Sequence, residues 1–293
     1  MGGGLHLLGE RRRGAQVLGQ HPREPGNPAA RHARDRAHGV FHFAARLVEH
    51  AHAGADTPFG REPIELLKSL AQSKGFTLQT FPYPAPGTEQ ASAWSEVRRF
   101  QPDQVLIWGA GPGQAVSVRG AISNGIAPKK INSVVWLAET DMQSFRGNSA
   151  EGVKRVTLVN PGSDSAILKR IQDKVVKPGQ GSGDAKLVGS TYYNIGVASM
   201  ALPVQAAKLA LAKQGAPLTA EKIKAGYETI KDFNADGLMP PITITAEDHQ
   251  DGGWGRVSEW KGGKWVNRGD WTRAYQDDVW KLIKEIEVKG AAK

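Results

Sequence analysis

Hydrophobic and polar positions fall into regular order only from Asp56 onward. Between Arg61 and Lys74, Ile64, Leu67 and Leu70 recur at helical spacing, with Pro63 in the first turn and Gly75 at the stop, which predicts a helix. Residues 76–84 (FTLQTFPYP) read as a short strand ended by prolines, and 89–99 as a helix carrying Trp94 and Val97. The run 103–109 (DQVLIWG) predicts a buried strand and 113–125 the helix that follows it. Further strands are expected at 133–138 (SVVWLA) and 153–159 (VKRVTLV). Strands alternating with helices predict an α/β fold with a parallel sheet covered on both faces. The Gly-rich stretch 176–186 is a candidate crossing between domains. A long helix is predicted over 192–213 with a kink at Pro203, and another from a Thr219 cap through Phe233. Strands at 241–246 (PITITA) and 255–267 follow, the latter a hairpin turning at Gly262 and Gly263, and a closing helix runs from about Arg273 to Val288.

Composition sharpens the break near residue 55. Residues 1–55 hold seven of the eight histidines and eight arginines, but no lysine and no tryptophan. No uninterrupted apolar stretch follows Arg11, Arg12 and Arg13, so the segment does not read as a secretory signal. Histidines 38 and 42, then 50 and 52, invite a metal reading, yet no carboxylate pattern completes a site and no metal is expected. A basic disordered tail is one reading of residues 1–55. The preferred one is that Arg, His, Ala, Gly and Pro without Lys are what GC-rich DNA yields out of frame.

The bulk numbers bound the rest. At 293 residues, 40% hydrophobic and 23% charged, the chain is expected to be globular, with no apolar run approaching bilayer length. The absence of cysteine excludes disulfides, thiolate metal sites and a cysteine nucleophile. The net charge of +9 divides between the basic first segment and a modest excess over the remaining residues. A nucleic-acid footprint concentrates its charge on one face, so no nucleic-acid partner is expected.

Two strand-end loops could carry chemistry, because open parallel sheets place ligands beyond the carboxyl ends of their strands. They are 108–115 (WGAGPGQA) and 137–141 (LAETD). The unit 103–139 has a strand, Gly109, Gly111 and Gly113, a helix, and a strand ending at Glu139, which makes an NAD(P)-dependent oxidoreductase the alternative reading. Gln114 stands where the third glycine belongs, and the acid lies farther along than the fingerprint's spacing of about 20 residues. GNSAEG (147–152) misses G-x-S-x-G, and EDH (247–249) reads as a turn. No catalytic constellation or cofactor is expected.

Four collinear stretches decide the expectation: 57–76 (TPFGREPIELLKSLAQSKGF), 86–109, 192–200 (YYNIGVASM) and 237–266 (GLMPPITITAEDHQDGGWGRVSEWKGGKWV). Together they resemble the leucine-type periplasmic substrate-binding proteins of ABC transporters, across nearly all of residues 56–293. The resemblance implies the type I periplasmic-binding-protein architecture: two Rossmann-like lobes with parallel sheets, closing on a solute and performing no chemistry. It implies a second lobe at 56–183, first-lobe helices at 184–238 and a return at 239–293. It further implies a periplasmic location, a branched-chain amino acid or related small polar solute as ligand, and a membrane ABC permease as partner. The matching ligand positions are Phe59 in the TPFG loop, Trp108 and Gly109 at a strand end, and Glu139, which matches the acid that receives an α-ammonium in amino-acid binders. The competing readings are a packed Phe, a core Trp and a helix-capping Glu. Because neither a first-lobe sheet nor a strand leading into TPFG is recognisable, the first lobe is expected to be incomplete and the chain truncated or frame-shifted, with exposed apolar surface and a tendency to aggregate.

Overall fold

The computed structural model describes residues 49–291. Its centre is one seven-stranded sheet in the order β2-β1-β3-β4-β5-β6-β7. The strands β1 (Glu49–Ala55), β2 (Thr77–Tyr83), β3 (Gln104–Trp108), β4 (Ile131–Ser133) and β5 (Lys154–Thr157) run parallel. The last two, β6 (Trp254–Lys261) and β7 (Lys264–Arg273), form a hairpin that joins β5 antiparallel, turning at Gly262 and Gly263 as its sequence demands.

The strand β1 corrects the reading that no strand leads into TPFG and that residue 56 bounds the ordered part. It lies between β2 and β3, pairing Ala53 with both Phe81 and Ile107. Its sequence, EHAHAGA, lacks the β-branched residues that announce a strand. Small residues suit the place: Ala51 and Ala53 are buried beneath large neighbours, among them Phe81, Trp94 and Val97. Of the segment 1–55 read as out of frame, residues 1–48, and with them the His38–His42 pair, lie outside the described residues, while residues 49–55 form β1; His50 and His52 sit on that strand, not on a helix.

Helices cover the sheet unevenly. The helices α1 (Pro58–Arg61) and α2 (Ile64–Lys74) follow β1, while α3 (Ala91–Phe100) and α4 (Gly113–Ser123) pack Trp94, Val97, Val118 and Ala121 onto Ile107 and Phe81. The strand expected at 133–138 ends at Ser133, where a turn closes with Leu137 N–H donating to the Val134 carbonyl at 3.1 Å. It leads into the short α5 (Glu139–Met142).

A second core lies off the sheet. There α6 (Ala166–Ile171), α7 (Thr191–Gln214) and α8 (Ala220–Tyr227) gather Leu168, Ala198, Ala206, Ile230 and Leu238. The strand expected at 241–246 shrinks to a single bridge between Phe233 and Ile242, because Pro240 and Pro241 have no N–H to offer a ladder. The helix expected through Phe233 stops at Tyr227. By length and mean hydropathy (1.5), α7 is long and apolar enough to cross a membrane, which corrects the reading that no run approaches that length. Such a helix is weak evidence for a span, and α7 instead packs along α8 with Asn194 and Pro203 inside it. The closing helix α9 (Gln276–Ala291) packs against α2.

Candidate functional site

The carboxyl ends of β1, β3 and β4 meet at one edge of the sheet. After β1, Thr57 accepts the Gly60 N–H through its hydroxyl at 3.2 Å and starts α1, with Pro58 supplying the first-turn φ. Gly60 is obligatory, since a Cβ there would fall 1.8 Å from the Ala55 carbonyl oxygen. This tight turn fixes Phe59, whose ring lies 6.1 Å from that of Trp108 with planes inclined by 40°. The structure therefore unites two of the residues singled out in the sequence.

Gly109 is held from below. A Cβ there would lie 2.7 Å from the Tyr83 hydroxyl. Its carbonyl accepts from the fully buried Gln114 side chain at 2.6 Å, and Gln90 ties the neighbouring loops through Gly87 and Gly113 at 2.6 and 3.1 Å. Gln114, which breaks the dinucleotide fingerprint, thus bonds back into its own loop.

Glu139 takes another course. Its two carboxylate oxygens accept from the Thr191 N–H at 3.0 Å and the Thr191 hydroxyl at 2.8 Å, at the amino end of α7, where the helix dipole favours an anion. Arg155 Nη2 stands 3.9 Å away. The Arg155 guanidinium is wholly buried, stacks over Trp265 at 4.2 Å and donates to the Leu137 carbonyl at 2.6 Å. Burial pulls its pKa down to about 10, so it stays charged at neutral pH. Beside it, Tyr192 stacks on Trp136 at 6.1 Å and donates its hydroxyl to the Trp136 carbonyl at 3.2 Å. Sequence reasoning missed Trp136, Tyr192 and Arg155; for Trp136 a signal existed, since it stands three residues before Glu139 in a strand-end loop.

Phe59 and Trp108 line a cavity of about 560 Å³ over the sheet face opposite α3 and α4, together with Leu106, Trp136, Leu67 and Val156. Glu139 is not part of its lining. Within it His52 is buried, and burial lowers its pKa to about 4. Elsewhere, EDH forms the expected turn, Asp248 accepting the Gln250 and Asp251 N–H groups at 2.9 Å each.

Residues 16–264 match the family model described as periplasmic binding protein, so the match also takes in residues upstream of Asp56. Among solved structures, an ABC transporter permease from the Pseudomonas fluorescens group is similar at 30% identity and a TM-score of 0.77, covering 85% of this chain and 62% of that one. A branched-chain amino acid ABC transporter from Thermus thermophilus with bound valine is similar in fold at 17% identity and a TM-score of 0.66, covering 84% and 63%. A fatty acid ABC transporter substrate-binding protein from Thermomonospora curvata gives 18%, 0.60, 79% and 59%. The chain thus spans less than two thirds of the length of these structures. No curated protein matches. With parallel strands converging on an aromatic edge and a family match over most of its length, the chain belongs to the periplasmic binding proteins.

Proposed function

We propose that this chain captures a small solute in the periplasm for an ABC permease and performs no chemistry. The observation that carries the reading is the Phe59–Trp108 pair, placed by α1 and by the last residue of β3 at the carboxyl edge of the parallel strands and against a largely apolar cavity. The valine in one structure of similar fold supports a branched-chain amino acid or a related small solute. On this reading Phe59 and Trp108 form the wall of the site, Gly109 follows Trp108 in the loop without lining the cavity, and Glu139 is the acid available to an ammonium group once it leaves Thr191.

The lobes follow the same proposal with a shifted boundary. The second lobe would take in β1, ahead of residue 56, and the hairpin β6–β7, since they share one sheet with β2 to β5. The helices α7 and α8 would belong to the first lobe. Solute binding would draw the two together, giving the permease a closed form to recognise.

A thermal-shift series with the full chain tests the reading. Amino acids, amides and small carboxylates are titrated, and a true solute at 100-fold its Kd stabilises the fold by about 2.7 kcal/mol. No shift with any of them overturns it.

A further inference from the structure

Two residues where the chain crosses between the cores bond to both of them, and we infer that they are joints. Asn160 and Asp251 let the sheet and the second core turn on each other, and the Glu139–Thr191 contact is the latch that holds them at one angle. The latch bears on the solute reading above, since it occupies Glu139; the joints stand without that reading, and their test contains no solute.

Asn160 follows β5, which ends at Thr157, and Asp251 precedes β6, which starts at Trp254. Toward the sheet, Asn160 Oδ1 accepts from Arg256 Nη1 on β6 at 3.0 Å and from Asn267 Nδ2 on β7 at 2.9 Å. Toward the second core, its Nδ2 donates to the Gly237 carbonyl at 2.6 Å and its N–H to the Leu238 carbonyl at 2.7 Å. Its own carbonyl accepts from the buried Asn194 side chain of α7 at 2.9 Å. An asparagine side chain has one accepting and one donating end, and here each end serves a different core. Asp251, 7% exposed, repeats the arrangement. It accepts from Arg273 on β7 at 2.6 Å, and from the N–H of Thr243, between Ile242 and Ile244 of the second core, at 2.8 Å. Its φ of 45° is one that residues other than glycine seldom adopt unless their surroundings impose it.

The latch is built differently. Trp136 and Glu139 follow β4, Thr191 and Tyr192 open α7, and none of the four lies in a crossing. Bonds made by crossing residues can follow both bodies, because the covalent chain ties those residues to each. A bond between groups fixed in separate bodies stretches when the bodies turn, and hydrogen bonds weaken steeply once stretched. The Thr191–Glu139 bonds of 3.0 and 2.8 Å and the Tyr192–Trp136 bond of 3.2 Å are of this second kind. A turn at the joints therefore frees both oxygens of Glu139 together, which makes that acid's availability a property of the angle between the cores.

The chain contains no cysteine, so Glu96→Cys on α3 and Lys208→Cys on α7, both exposed positions, carry the only spin labels. Dipolar electron spin resonance on the full chain, diluted into unlabelled chain so that only distances within one molecule are read, is expected to give one narrow distance. Adding Glu139→Ala and Tyr192→Phe removes the latch and is expected to give a second, resolved distance. Adding Asn160→Ala instead loosens a joint and leaves the latch, and is expected to widen the first distance without producing a second. A single parental distance in the latch variant overturns the latch. A second distance in the Asn160→Ala chain overturns Asn160 as a joint, since it would then be the contact that holds the angle. Should the latch variant fail to fold, amide hydrogen exchange in the parent chain decides. The Thr191 N–H is expected to exchange roughly tenfold faster than the N–H groups of Asn160 and Thr243, and equal protection overturns the inference.

Discussion

Glu139 and Thr191, 52 residues apart, are joined by two hydrogen bonds that use both carboxylate oxygens. They tie the strand-end loop after β4 to the first turn of α7, and so link the sheet to the second core. A carboxylate accepting a backbone N–H at a helix start does the work of a cap and complements the dipole. It also answers the charge of the buried Arg155 nearby.

This pair should behave as a coupled unit. Thr191→Val removes one bond and is expected to cost about 1 kcal/mol, while Glu139→Ala removes both and is expected to cost about 2 kcal/mol. The double variant should cost clearly less than the sum, since the two changes delete the same contact. Urea denaturation of the four chains measures this. Costs that add to within about 0.5 kcal/mol would mean the contact carries no energy of its own.

The loop after β3 depends on the absence of a side chain at Gly109. Alanine there would press on the Tyr83 hydroxyl from 2.7 Å, against a tyrosine buried in the core. Gly109→Ala is expected to cost about 1 to 3 kcal/mol, as overpacked cores do. Tyr83→Phe in the same chain should recover part of that loss by removing the oxygen that collides. A Gly109→Ala chain as stable as the parent in chemical denaturation would show that the loop yields freely.

These contacts mark the boundary of what the sequence discloses. The rule that parallel sheets bind ligands beyond their carboxyl ends, joined to a family resemblance, identified Phe59 and Trp108, and the structure places them side by side. The periodicity of 103–109 and of 61–74 was equally plain, because large apolar residues mark the buried side of each element. The strand β1 was hidden for the opposite reason: its buried positions are alanines, and the space is filled by partners distant in sequence. The sequence leaves Glu139 open between an ammonium-binding acid and a helix-capping Glu, because nothing local reveals that Thr191 will reach it. The burial of Arg155 against Trp265, 110 residues away, was likewise a tertiary fact.

The helix α7 presents a second consequence of packing. Only Thr191, Asn194, Ala198, Ala206 and Ala210 along it are buried, and Met200, Val204 and Leu211 stand 65%, 51% and 42% exposed. Spaced by four and seven residues, these three share one face. An exposed apolar stripe of this kind favours association. The parent chain is expected to self-associate in light scattering as its concentration rises, and Met200→Lys with Val204→Glu should suppress this without lowering the melting temperature. Equal scattering from both chains would exonerate this face.

His52 should make stability depend on pH in a defined window. It is 2% exposed on β1, and desolvation, the dominant cause, lowers its pKa from 6.5 to about 4. Between those values the unfolded chain holds a proton that the folded chain does not, so the unfolded state binds more protons and stability rises with pH. Folding is therefore expected to lose stability as pH falls from 6.5 toward 4, reaching a deficit of about 3 kcal/mol from this group. His52→Gln keeps a polar side chain that does not titrate, and it should flatten the profile in that range relative to the parent. The comparison of the two chains isolates His52 from the carboxylates that titrate in the same region. Parallel profiles for parent and variant between pH 6.5 and 4 would mean that the imidazole is solvated in the folded protein after all.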